Sequence, residues 1–215
     1  ISEDEGLMVT VFHNGGFGYG ATSNLTQEGI SQAVESAKEW ADFSKNKLTY
    51  CPDLSKLKNQ TGSYYTEEED NWSKVSMKDK ADYLLSVNNA LKSQPTISNW
   101  GASMRFNKIE TLFIDTNDSH VRQKISYLLP QIIASAEHKK EIQTRTFGGH
   151  AHARQIGYNF IDQINMVQRA QILAEEAVEL SKSPNCSDQI TNAVIAPDQM
   201  ILQIHESIGH PLELD

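Results

Sequence analysis

The sequence predicts an α+β fold, with a hairpin and helix unit first, an antiparallel sheet with long flanking helices next, and a short segment bearing two histidines last. Three observations lead there. Strand-length runs of β-branched and aromatic residues cluster near residues 7–21 and 97–147, apolar residues recur every three or four positions in other stretches, and no block of sequence repeats. With 39% hydrophobic and 22% charged residues, a 215-residue chain can bury one or two ordinary cores.

The hairpin is read from Leu7 to Phe12 and Phe17 to Ala21, separated by the turn signal Asn14-Gly15-Gly16. Gly15, Gly16, Gly18 and Gly20 lack the lysine and hydroxyl of a phosphate loop, so they point to tight backbone approach within a sheet. After Asn24 and Thr26, either able to cap a helix, the stripe Ile30, Ala33, Val34, Ala37 and Ala41 predicts a helix, with Trp40 widening its buried face. Residues 45–70 are polar, broken by Pro52 and Gly62, and end in Glu67-Glu68-Glu69-Asp70. They read as a connector with a solvated acidic run, which puts a first unit at 1–70.

Ser76-Met77-Lys78-Asp79 has capping-box character, and Ala81, Leu84, Leu85, Val87 and Leu91 then predict a helix over 76–93. Extended runs follow at Ala102 to Phe106, Ile109 to Asp115, Ile125 to Leu129, Ile132 to Ala136 and Ile142 to Phe147. Thr116-Asn117-Asp118 divides two of them, so a meander is expected with Pro130 at an edge or bulge. One helix is predicted over 159–182 from Ile161, Ile164, Val167, Ala170, Leu173, Ala177 and Leu180. This completes a central α+β domain at 71–183. Pro184 ends the helix, Ala193-Val194-Ile195 reads as a short strand, and Pro197-Asp198 starts the last helix, expected to be buried and rigid.

That last helix carries Met200-Ile201-Leu202-Gln203-Ile204 and then His205-Glu206-Ser207-Ile208-Gly209-His210. Two neutral imidazoles can hold a zinc ion with positions left open, and a glutamate beside the first can accept a proton from water; the chemistry this pattern predicts is hydrolysis. The histidines are five apart, which on a regular helix leaves the rings about 140° apart around the axis. The backbone must therefore deviate near Gly209 to His210, either by a π turn, with Gly209 accepting unusual angles, or through Pro211, which disfavours the helical region for His210 and clashes with the carbonyl four residues back. Gly148-Gly149-His150-Ala151-His152 is a rival, since alternate residues on a strand share a face, but it has no carboxylate or cysteine partner. Solvent-exposed or hydrogen-bonding roles fit it better, and His13, His120 and His138 read as structural.

The run ILQIHESIGHPLELD, residues 201–215, closely resembles the HExxxH-x-x-E segment of the TldD/PmbA metallopeptidases, also known as modulators of DNA gyrase. Residues 6–41 and 170–197 resemble that family's early strand, turn, strand and helix and its approach to the metal motif. The resemblance implies that His205 and His210 are zinc ligands, Glu206 the catalytic base, and Glu213 a residue behind the ligands that orients one of them. It further implies that 184–215 opens a C-terminal metallopeptidase domain, and that a third ligand, a cysteine, lies downstream of these 215 residues, so that the chain is part of a longer enzyme and inactive alone. Cys186, in a polar loop, reads as a surface thiol rather than that ligand. The implied substrate is an extended or unfolded peptide, and the implied partner a subunit of the same fold, in a homodimer or a heterodimer. A non-catalytic, partner-binding subunit of such a complex is the alternative; the family's non-catalytic subunits lack the histidine motif.

Nineteen basic against twenty-eight acidic residues, a net charge of -9, argue against direct nucleic-acid contact. No apolar run is long enough to span a membrane, and residues 1–5 have neither part of a signal peptide. The expected location is cytoplasmic. Two cysteines, Cys51 and Cys186, make no disulfide framework, and the Asn-x-Ser/Thr triplets at Asn24, Asn59, Asn71, Asn117 and Asn185 read as chance.

Overall fold

A computed structural model describes residues 2–49, 53–67 and 72–213; Cys51, Pro52, Glu68, Glu69, Asp70 and Asn71 fall outside the described residues. The fold is mixed α+β, as expected, and divides into two compact units, Ile1–Asn59 and Gln60–Asp215.

In the first unit, β1 (Leu7–His13) pairs antiparallel with β2 (Gly16–Thr22) in the register Phe12 opposite Phe17. The two-residue turn has positive φ at both Asn14 (50°) and Gly15 (76°), the pair of angles that matches the twist of a hairpin and that Asn-Gly favours. Helix α1 (Gln27–Ser44) starts at Thr26, whose hydroxyl accepts from the Gly29 N–H at 3.3 Å. Its buried stripe is Gly29, Ala33, Ala37 and Ala41. A Cβ on Gly16, Gly18 or Gly20 would lie 1.8, 2.2 or 2.1 Å from the carbonyl oxygens of Ala41, Ala37 and Ala33 respectively. Those glycines therefore let a helix sit directly on a strand, a closer approach than the strand-to-strand one the sequence suggested. This narrow seam is lined by alanine methyls and also meets the Trp40 Cβ, 2.8 Å from where a Gly18 Cβ would stand, while Trp40 as a whole is 57% exposed with its ring edge-on to Phe43.

The second unit holds a four-stranded sheet in which β5 (His120–His138) is central: β4 (Ile97–Ile114) runs antiparallel along one side, while β3 (Thr61–Tyr65) and β6 (Glu141–Gly148) share the other. The runs expected separately are continuous, each pair fused into one long strand. Pro130 lies between the end of the β3 pairing at Lys124 and the start of the β6 pairing at Gln131, where its missing N–H interrupts neither ladder. Strand β3, parallel to β5, lies in the stretch read as connector. Its five residues are all exposed, so no alternation of apolar and polar residues marks it. At the β4–β5 turn the Asp115 carboxylate accepts from the Asn117 and Ser119 N–H groups, both at 2.9 Å, and the Ser119 bond leads in holding its pKa below the usual aspartate value.

Helix α2 (Met77–Leu91) begins at Ser76, whose Oγ accepts from the Asp79 N–H at 3.0 Å as the capping box requires. Its buried face is Lys80, Val87, Ala90 and Leu91, turned away from Leu85, which is 58% exposed. Lys80 accounts for the rotation: its ammonium donates to the carbonyls of Trp72 (2.7 Å) and Val75 (2.8 Å) over the Trp72 ring, and burial lowers its pKa. The helix expected over 159–182 is two, α3 (Phe160–Ile164) and α4 (Met166–Lys182), parted at Asn165. Asn165 is left-handed (φ 44°, ψ 67°), and its Oδ1 accepts from the Gln168 N–H at 3.3 Å, so it ends one helix and caps the next. The core joins Val87 and Leu91 of α2, Leu128, Ile132, Ala134 and Ala136 of β5, Phe160 and Ile161, and Met166, Ala170 and Leu173 of α4. Trp100, Ala102, Met104 and Phe106 of β4 pack against it at alternate positions.

After α4 residues 184–196 form neither helix nor strand, so Ala193 to Ile195 are not the short strand expected. Helix α5 (Pro197–Ile204) follows, with Pro197 in its first turn and no buried residue. The expectation of a buried helix is corrected here: Ile201, Leu202 and Ile204 are at least half exposed.

Candidate metal centre

The regular helix stops where the histidines begin. Residues His205–Gly209 form a π turn, closed by a bond from the His210 N–H to the His205 carbonyl, and His210–Leu212 form a 3-10 turn with Pro211 inside it. An i to i+5 turn brings five-apart residues back onto one face, as the spacing demanded. The ring centroids of His205 and His210 are 4.5 Å apart. Glu206, four residues before His210, has its Oε2 3.8 Å from the His210 Nε2.

Of the local causes the sequence suggested, unusual angles at Gly209 and a non-helical His210 are absent, and the clash of Pro211 with the carbonyl four residues back remains. Gly209 has ordinary helical angles (φ -59°, ψ -65°), and His210 stays helical as well (φ -57°, ψ -43°) despite preceding proline. Neither residue uses an unusual conformation. In a regular helix the Pro211 ring would press on the Ser207 carbonyl four residues back and could not bond to it. Opening the preceding turn relieves both problems without leaving the right-handed region.

Each of His205, Glu206 and His210 offers a ligand-type atom, and the three atoms lie within 4.8 Å of one another; among the described residues this is the one such grouping. Two nitrogens and a carboxylate oxygen are the donor types zinc takes, at distances near 2.0–2.2 Å. The residues therefore fit a metal in type and in proximity. The fourth residue singled out from the sequence, Glu213, is also close by: its Oε2 is 2.9 Å from the His210 Nδ1.

The rival histidines are not brought together in that way. Gly149–His152 is a 3-10 turn rather than a strand, so His150 and His152 do not share a face. His152 instead lies against the Phe147 ring, with centroids 4.4 Å apart. Cys186 is a free, exposed thiol.

An α+β chain with a histidine and carboxylate cluster on a distorted helix is the class of protein defined so far, and comparison with known proteins narrows it. The profile for PmbA/TldA metallopeptidase domain 1 matches residues 1–41, and that for the PmbA/TldA metallopeptidase central domain matches residues 70–183. The chain belongs to the TldD/PmbA family, which is described as metallopeptidase. No curated protein matches it significantly. Among solved structures it is similar to a candidate modulator of a DNA gyrase from Thermotoga maritima, with a TM-score of 0.59, 15% identity, and coverage of 85% of this chain and 39% of that one. A candidate modulator of DNA gyrase from Bacteroides thetaiotaomicron gives a TM-score of 0.57 at 12% identity, covering 81% of this chain and 40% of that one. TldE from Thermococcus kodakarensis gives 0.50 at 12% identity, with 79% and 36% covered. At these identities the likeness is one of fold, and the chain spans about two fifths of the length of these relatives. No described helix is long and apolar enough to cross a membrane.

Proposed function

We propose that this chain supplies the first metal ligands and the general base of a zinc-dependent peptidase that hydrolyses extended or unfolded peptides. The observation that carries the reading is the π turn that gathers His205, Glu206 and His210. The imidazoles of His205 and His210, neutral when they bind, hold the ion. A bound zinc would supply Lewis acidity, polarising a peptide carbonyl and acidifying water. Glu206, adjacent in sequence to one ligand and near the other, takes the proton of the attacking water and returns it to the departing amine. In this reading residues 184–215 open a C-terminal metallopeptidase domain that follows a first unit at 1–70 and a central domain at 71–183. A partner of the same fold, identical or related, completes the assembly, and the similarity to TldE supports a related one. A cytoplasmic location, where Cys186 remains a thiol, goes with this reading.

The test separates the roles. On the full gene product, His205→Ala or His210→Ala should abolish stoichiometric zinc uptake, whereas Glu206→Gln should keep the zinc and lose peptide hydrolysis by at least about 100-fold, the low end of what general-base catalysis contributes. A Glu206→Gln variant that still turns over at the wild-type rate rules out the base. Wild-type protein that takes up no zinc points to the non-catalytic, partner-binding subunit instead.

A further inference from the structure

We infer that the outer edge of β4 docks onto the same edge of a second copy of this chain, antiparallel and centred on Ile109, so that the two sheets become one. In the sheet order β3-β5-β4 the strand β4 lies outermost, and among the described residues no strand pairs with its far side. Towards the β4–β5 turn it also presents apolar side chains to solvent: Ile109, Leu112, Phe113 and Ile114 are 46–66% exposed. A long apolar strand edge is a template for pairing with another chain. The partner of the same fold proposed above thereby gains a surface, and the pairing stands whether or not the histidine cluster holds a metal.

Hydrogen bonding along β5 shows which backbone groups of β4 face outward. The N–H groups of His120, Ser126 and Leu128 donate away from β4, to the Gln60 carbonyl, Thr66 Oγ1 and the Arg154 carbonyl. Their opposite residues on β4 are Ile114, Lys108 and Phe106. Residues directly opposite in an antiparallel pair exchange both bonds or neither, so these, and by alternation Glu110 and Leu112, turn their N–H and C=O groups outward. Two such edges can meet with Lys108 facing Glu110 of the second copy and Glu110 facing its Lys108. The same register sets Phe106 against Leu112 and, on the other face, Ile109 against Ile109. A slip of two residues either way would oppose Lys108 to Lys108 or Glu110 to Glu110, and like charges directly opposite are destabilising. Glu110 already has Lys124, Lys108 and Arg122 of its own chain at 3.3, 3.7 and 3.8 Å, so a second carboxylate arriving there meets net positive charge.

The test reads the register. Ile109 would face its copy as a non-hydrogen-bonded pair with Cα atoms about 4.5 Å apart, a span that a disulfide bridges. With Cys51 and Cys186 changed to serine, Ile109→Cys should cross-link to a covalent dimer under mild oxidation. Phe113→Cys, at a more exposed position, should not, because residue 113 would face residue 105 and lie about 26 Å from its own copy. In sedimentation equilibrium the wild-type chain should dimerise. Lys108→Glu, which sets acid against acid twice across the edge, should weaken the dimer about 10-fold and leave the circular dichroism spectrum unchanged. A monomeric wild-type chain, an Ile109→Cys variant that stays unlinked, a Phe113→Cys variant that links as readily, or a Lys108→Glu dimer of wild-type strength overturns the inference. None of these measurements involves zinc, so the peptidase reading can fail while this one holds, and the reverse.

Discussion

A methyl group on Gly18 would lie 2.2 Å from the Ala37 carbonyl oxygen and 2.4 Å from the Ala41 amide nitrogen, both backbone atoms that cannot step aside. A helix resting on a strand through alanine methyls has no slack, since moving it away from Gly18 also parts Ala33 from Gly20 and Ala41 from Gly16. Gly18→Ala should therefore cost about 2–3 kcal/mol, in the range of overpacked cores. Gly62→Ala is the control, because an added Cβ there meets nothing within 4 Å and φ is not positive. Urea denaturation should show the first variant destabilised and the second within about 0.5 kcal/mol of wild type, with hydrogen exchange locating the loss in α1. The seam was half legible in the sequence. Alternating glycines say that something comes close, but nothing in them says whether it is a strand or a helix.

Between α3 and α4 a single residue decides whether the chain makes one helix or two. The apolar spacing from Ile161 to Leu180 is compatible with either, because one left-handed residue turns the axis while leaving both pieces facing the same core. Asn165 meets both needs, tolerating φ of 44° and capping the Gln168 N–H. Asn165→Gly keeps the backbone freedom and loses the side-chain cap, so it should cost a few tenths of a kcal/mol. Asn165→Ala loses the cap and also strains the left-handed angles, so about 2 kcal/mol is expected in denaturant titrations. Equal losses would show that backbone conformation is not what asparagine provides. Periodicity reports which face is buried, so it found α1, α2, α4 and the alternating half of β4. It says nothing where no face is buried, which is why β3 passed for a connector and why Ala193 to Ile195, apolar but unpaired, passed for a strand. At the candidate metal centre the five-residue spacing required a distorted helix. The π turn meets that requirement through ordinary angles at Gly209 and His210, with Pro211 acting from one residue further on.

Over the whole chain the buried apolar side chains are distributed very unequally. The first unit contributes Ala33, Ala37 and Ala41, while the second contributes Val87, Leu91, Leu128, Ile132, Phe160, Ile161, Met166 and Leu173 among others. An alanine methyl removes far less apolar surface from water than a buried leucine, isoleucine or phenylalanine side chain. A hairpin and one helix of that composition therefore draw less stability from burial than the second unit does. The second unit has large aliphatic and aromatic groups from two helices interdigitating with a sheet, the usual basis of a cooperative domain. Its first strand is anchored within it, since the His120 N–H donates to the Gln60 carbonyl at 2.8 Å and the Gln60 N–H to Ser119 Oγ at 3.0 Å. A piece comprising residues 53–215 should therefore unfold in urea as a single cooperative transition, with near-ultraviolet circular dichroism from Trp72 and Trp100 intact beforehand. Residues 1–49 alone should unfold at lower urea than the longer piece, with weaker amide protection. A transition in the short piece at equal or higher urea would mean that the glycine and alanine seam is far more stabilising than the area it buries implies, and the unequal division of the core would then have to be abandoned as the source of the chain's stability.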